Sequence, residues 1–315
     1  MMSKRDIDGI PARLWTRVSC APHRLLMLDY DGTLAPFRVA RGQAAPPARV
    51  LKRLGRLARA AHTRVAVVSG RPIDELDPLL GALPIALFGE HGWEERGLDG
   101  RLVRHPLAAA TAALLDRAER LMRDTGTAGR LERKRCGIVL HTRGLPSGRA
   151  RAVAGRSMVA WRPLTAGARL VLQPIDGGVE LRAGRRNKGA VVRFLLARSA
   201  PGTFAVFVGD DIADEEAFGA LGDAGLGVRV GASRRRSLAR GRLPGSRALE
   251  PFLAEWDRLA GAAAQAAEAP RRVNRRPRRA PRGASGAGTR GRAAGRRRSS
   301  SPRRPPAAPR ASGPA

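Results

Sequence analysis

Two aspartates, Asp29 and Asp31, stand one residue apart where the apolar run LLMLDYDGTL (residues 25–34) ends. A carboxylate is costly to bury unless it is paired, hydrogen-bonded or bound to a cation, so this ending points to a positive partner rather than to core filling. A second acidic cluster, VGDDIADEEAF (208–218), closes another apolar run and carries Asp210 and Asp211. In an extended segment residues i and i+2 point the same way, which would bring Asp29 and Asp31 to one site. Two acidic strand tips on neighbouring strands make a hard-oxygen site suited to Mg2+, which accepts carboxylates, waters and phosphate oxygens together.

A carboxylate in such a place can also be a nucleophile toward phosphorus, dividing hydrolysis into two displacements through an aspartyl phosphate. Asp29 suits that role, and Asp31 could protonate the leaving alkoxide and later deprotonate the attacking water. The transferring group needs positive charge and hydrogen-bond donors around it. VVSGR (67–71) offers the Ser69 hydroxyl and the backbone amides around Gly70 at the end of a further apolar run, with Arg71 next in line either to bind phosphate or to form an ion pair. RNKGA (186–190) sets Lys188 at the start of a helical pattern, whose free N–H groups favour anions. Basic positions in this chain are overwhelmingly arginine, so a point-charge ammonium at 188 stands out.

Positioning these groups falls to short apolar runs at 24–29, 64–69, 85–89, 204–209 and 226–230, each ending in Gly, Ser, Asp or a neighbouring turn residue. Continuous rather than alternating hydrophobicity is the mark of parallel strands buried on both faces. Helical spacing over 48–61, 188–200 and 214–225 lies between them. The alternation predicts an α/β, doubly wound parallel sheet of Rossmann-like type, with ligands outside the carboxyl ends of its strands. Texture changes between about 102 and 175, where a helical stretch (105–126) precedes alternating segments at 130–143 and 168–184, with a second helix expected within 144–168. A block of this kind inside an α/β repeat predicts an inserted α+β cap domain. The expected organisation is an extension over 1–23, core over 24–101, cap over 102–180, core again over 181–260 with a terminal helix at 246–260, and a tail over 261–315.

That tail holds about fifteen arginines and almost no large apolar residue, so it is expected to be disordered, with weak polyanion or nucleic-acid contact as its one compositional prospect. The chain has 315 residues, 43% hydrophobic content and a net charge of +32, which is ample for a globular core. Two cysteines form neither a disulfide framework nor a zinc pattern, and no run approaches the roughly 18 apolar residues of a membrane span. The N-terminus lacks a signal-peptide core. These features lead us to expect a cytoplasmic protein, without membrane contact and monomeric.

With its motifs in order (DxDGT, a strand-end Ser, a Lys, then GDD), the sequence resembles the haloacid dehalogenase superfamily. LDYDGTLAPF, VVSGRP, GEHGWE, ERKRCGIVLHTR, VELRAGRRNKGAVVRFL and GDDIADEEAF extend the resemblance to the trehalose-6-phosphate phosphatase family over roughly residues 24–260. The resemblance implies a Mg2+-dependent phosphatase acting on trehalose 6-phosphate. It makes Asp29 the nucleophile, Asp31 the general acid/base, and Ser69, Gly70 and Lys188 the phosphate holders. Asp29, the carbonyl of Asp31 and Asp210 would ligate Mg2+, with Asp211 close behind. Arg71, His91, Glu132, Lys134, His141, Arg143 and Glu180 become the candidates for substrate contact, since sugar hydroxyls both donate and accept. Two departures bear on the sugar: residue 213 is Ala where the family has a hydroxyl, and bulky Trp93 follows GEHG. A related sugar phosphate such as glucosylglycerol phosphate, or a polyanion-binding protein acting through its tail, are the alternatives.

Overall fold

The computed structural model describes residues 7, 9–38, 41–123, 127–167, 169–232 and 235–273. Its first sheet has eight strands. β1 (His23–Leu28) lies at its middle, between β10 (Thr203–Gly209) and β2 (Thr63–Val68). Beyond β10 come β11 (Gly225–Val230) and β12 (Gly241–Leu243), and beyond β2 comes β3 (Ala86–Gly89), all parallel. Two short antiparallel strands, β4 (Glu94–Arg96) and β5 (Leu102–Arg104), finish that edge.

Successive residues of a strand face opposite sides, and here both sides are covered. Leu26 and Leu28 pack with α1 (Ala12–Cys20), α2 (Ala48–Arg59), α3 (Ile73–Leu80) and α8 (Leu249–Val273). Leu25 and Met27 pack with α6 (Lys188–Ala197) and α7 (Asp214–Ala220). This two-sided burial is why the β1 run is apolar without a break.

The second sheet is antiparallel, in the order β6 (Leu131–Arg133), β7 (Gly137–His141), β9 (Gly178–Ala183), β8 (Leu170–Ile175). α4 (Ala109–Met122) and α5 (Ser147–Trp161) cover one face of it. Ile138, Leu140, Val179 and Leu181 point into that layer, and the Trp161 indole N–H donates to the Ala118 carbonyl at 2.9 Å. The intervening residues point the other way. Glu132, Val139, Glu180 and Gln173 fall in register on one rung across all four strands.

Sheet membership moves two expected boundaries. Leu102–Arg104 pairs with the core sheet, because β5 caps its antiparallel edge, and β9 carries the cap sheet on to Ala183. The expected break at 261 also moves, since α8 runs on to Val273. Its continuation is rich in alanine, the best helix former, and needs no large apolar residue to stay helical. The rest of the tail, and with it the expected disorder and polyanion contact, lies outside the described residues. Among the described residues no helix is long and apolar enough to cross a membrane.

Candidate active site

The carboxyl ends of β1, β2, β3 and β10 meet beneath the open face of the cap sheet. The cleft between them takes its lining from both the core sheet and the cap sheet. Thirteen of the fourteen residues named above for chemistry or binding line it: Asp29, Asp31, Ser69, Gly70, Arg71, His91, Glu132, Lys134, His141, Arg143, Glu180, Lys188 and Asp211. Asp210 stands just behind, its carboxylate within 4.8 Å of those of Asp29 and Asp214.

Asp29 continues β1, its N–H donating to the Val208 carbonyl at 2.8 Å. The chain then leaves the extended path, because the Tyr30 carbonyl accepts from both Leu34 and Ala35 and Gly32 takes φ 78°. Asp29 and Asp31 therefore reach one cleft through a turn, and not by the extended i, i+2 geometry expected. Gly32 is required here: a Cβ would sit 2.2 Å from Asp210 Oδ2.

Lys188 opens α6, whose N-cap Asn187 accepts from the Ala190 N–H. Its ammonium donates to Asp29 Oδ1 and to Asp214 Oδ1, each at 2.7 Å, with all three side chains buried. Burial pulls the ammonium's pKa down, but the two aspartates outweigh it and raise it above the ordinary lysine value. Burial pushes the Asp29 carboxyl up to about 7 despite Lys188. Asp210 is pushed up to about 10 by burial and by the neighbouring Asp29 and Asp214. Three crowded carboxylates against one ammonium form a site short of positive charge. All donors are hard oxygens, which fits a divalent cation such as Mg2+.

Asp214 is the residue that sequence reasoning missed. It is fully buried, and besides Lys188 it accepts the Asp211 N–H at 2.8 Å. Its signal was present, as the third aspartate of the 208–218 run. The side chain of Asp211 instead accepts the Ile212 N–H, and that of Asp31 is taken by Arg71. Among the described residues, the carboxylates whose oxygens lie within 4.8 Å of one another are those of Asp29, Asp210 and Asp214.

Arg71 donates through Nε and Nη2 to the two Asp31 oxygens at 2.7 and 2.6 Å. Its third nitrogen lies 3.6 Å from Glu75. Arg71 thus forms the ion pair considered for it. Ser69 Oγ accepts the Arg71 N–H at 3.1 Å, and the Gly70 carbonyl accepts Lys134 Nζ at 2.8 Å from the cap.

On the cap side, the shared rung presents Glu132, Glu180 and Gln173 together. Glu180 accepts from Gln173 at 3.3 Å and meets Lys134 at 3.4 Å and His91 at 3.1 Å. Burial opposes its ionisation, yet His91, Lys134 and Arg182 hold its carboxyl well below the usual range. Burial lowers the His91 pKa against the opposing pull of Glu180. Gly70 makes room for that ring, since a Cβ there would lie 2.8 Å from Nε2. Glu90 and His91 both have positive φ, 44° and 57°, a strain typical of functional turns. Glu132 meets His141 at 2.6 Å, and Arg143 pairs with Asp176 while covering the Phe37 ring. Ala213 lines the cleft, but Trp93 is buried with Cys136 and Ala183 and does not narrow it.

A mainly parallel sheet with an acidic cluster at its carboxyl ends, under a separate antiparallel cap sheet, is the fold of the haloacid dehalogenase superfamily. A solved phosphatase of that superfamily from Bacteroides thetaiotaomicron aligns with a TM-score of 0.51 over 74% of this chain and 95% of its own. The C-terminal domain of Candida albicans trehalose-6-phosphate phosphatase aligns at 0.69, over 79% and 96%, with 22% identity. The family profile of the trehalose-phosphatases matches residues 27–243, and the chain belongs to that family. A probable trehalose-phosphate phosphatase from Sinorhizobium fredii is 32% identical over 73% of this chain and 86% of its own length. A bifunctional trehalose-6-phosphate synthase/phosphatase from Thermoproteus tenax is 33% identical over 67% of this chain, which spans 29% of that larger protein.

Proposed function

We propose that this protein hydrolyses trehalose 6-phosphate to trehalose and phosphate. The observation that carries the reading is the buried Asp29–Lys188–Asp214 constellation at the tip of the central strand, directly below a cap rung of carboxylates. The trehalose-phosphatase profile over residues 27–243 supports the choice of sugar.

Asp29 attacks phosphorus, forming its own bond to the phosphoryl group as the bond to the sugar oxygen breaks, and Asp31 supplies the proton that the sugar oxygen takes. Asp31 then removes a proton from water as that oxygen bonds phosphorus and Asp29 is released. Lys188, Ser69 and the amides around Gly70 stabilise the charge that builds on the phosphoryl oxygens. Asp29, Asp210 and Asp214, with the Asp31 carbonyl, would hold Mg2+. When bound, the ion offsets the charge repulsion between the attacking carboxylate and the phosphate. Glu132, Lys134, His141, Arg143 and Glu180 recognise the sugar hydroxyls. The free cysteines Cys20 and Cys136 fit action in the reducing cytoplasm.

The test is phosphate release by the purified full chain across sugar phosphates, with Mg2+ and after exhaustive chelation. Trehalose 6-phosphate should be preferred over glucose 6-phosphate and glucosylglycerol phosphate. Chelation should silence the enzyme and added Mg2+ restore it. Equal rates on all three esters would overturn the choice of sugar, and full activity without metal would overturn the role of the acidic cluster.

A further inference from the structure

We propose that Arg71 is a positioning residue for acid–base chemistry: it fixes the Asp31 carboxylate in the orientation from which a proton reaches the leaving oxygen. The inference rests on the phosphatase reading above and assigns Arg71 a part in it other than substrate binding.

Asp31 sits in a turn, with its side chain about one-third exposed, so packing alone does not hold it. Arg71 does so through two parallel bonds of 2.6 and 2.7 Å, one to each oxygen. A planar guanidinium fork of this type defines the plane of the carboxylate as well as its position. It still leaves each oxygen a further lone pair for proton exchange.

The fork is itself immobilised. Its side chain is 2% exposed and lies over the Tyr30 ring, 5.1 Å from the centroid. The Tyr30 hydroxyl is tied to the Ala44 carbonyl at 2.7 Å. The Arg71 backbone is held at both ends, its N–H by Ser69 Oγ and its carbonyl by the Glu90 N–H. Core packing is thereby transmitted to the acid–base group. Nε and Nη2 are directed at Asp31, and Nη1 faces Glu75 at 3.6 Å.

Dependence on the leaving group separates these roles. A sugar alkoxide must be protonated as it departs, whereas 4-nitrophenolate leaves without help. Arg71→Ala and Arg71→Lys should therefore lower kcat/KM for trehalose 6-phosphate at least tenfold more than for 4-nitrophenyl phosphate. Millimolar guanidinium should restore part of the loss in Arg71→Ala. In an Asp31→Asn background, Arg71→Ala should add less than about twofold.

Equal losses on both esters would assign Arg71 to phosphate binding and overturn the proposal, as would no loss on either. Arg71→Lys keeps the test open where Arg71→Ala fails to fold. If the wild-type protein instead cleaves glucose 6-phosphate and not trehalose 6-phosphate, the choice of sugar fails, and the same ratio read on glucose 6-phosphate still decides the role of Arg71.

Discussion

Lys188 and Asp29, at the start of one helix and the end of one strand, are joined by a buried 2.7 Å ion pair. The same ammonium neutralises Asp214. Removing one partner of a buried ion pair typically costs about 3–5 kcal/mol, because the other charge is left without a partner. Lys188→Met should therefore abolish turnover and also lower Tm in the metal-free protein. Thermal unfolding with and without Mg2+ checks this, and the added ion should recover part of the lost stability.

Asp29→Asn should differ in kind. Lys188 keeps Asp214 as its buried counter-ion when Asp29 is made neutral, so an amide of the same shape leaves no charge there without a partner. An amide is a poor nucleophile toward phosphorus. Phosphate release should vanish while Tm stays within a few degrees of wild type, and a measurable rate from a purified, folded variant would contradict the assigned attack.

Asp214 makes a prediction that no strand-tip reading supplied. It contributes a buried oxygen to the acidic cluster and fixes Lys188 and the Asp211 N–H. Asp214→Asn should raise the Mg2+ concentration needed for half-maximal activity by at least tenfold. Titration calorimetry with Mg2+ reads the same loss without reference to turnover.

Glu180 gives the fold a dependence on pH. Its carboxyl is held below the ordinary value, so folding favours the ionised form. A depressed carboxyl contributes in full above its unfolded pKa, near 4.5, and loses the contribution as pH falls toward the folded value. Glu180→Gln should unfold more readily than wild type at pH 7. The gap should narrow progressively as pH falls below about 4.5, as read by urea unfolding at each pH.

Glu132 tests recognition by the cap. It stands on the rung with Glu180 and Gln173, remote from Lys188 in sequence and open to the cleft. If it accepts from a sugar hydroxyl, Glu132→Ala should raise KM for trehalose 6-phosphate by roughly ten- to hundredfold, the usual effect of losing a charged hydrogen-bond partner. The effect on 4-nitrophenyl phosphate, which has no sugar, should be much smaller. Parallel losses on both esters would mean that the cap has been disrupted.

The residue types and their order along the chain were legible in the sequence because each rests on a local signal. Unbroken apolar runs marked β1, β2 and β10 as strands covered on both sides, and their polar ends located Asp29, Ser69 and Asp210. Alternation at 130–143 and 168–184 marked strands with one open face, while Glu132, His141 and Glu180 were singled out by the resemblance of their motifs to the family. Contacts between distant segments were decided by tertiary structure alone, since no local period encodes them. Lys188 reaches Asp29 across 159 residues, and only the packing of α6 beside α7 puts Asp214 on its other side. The turn at Gly32 separates two aspartates that an extended chain would have aligned, and it delivers Asp31 to Arg71. The rung that unites Glu132, Glu180 and Gln173 depends on strand register, which hydrogen bonding between strands sets and which a one-residue slip would send to the opposite face.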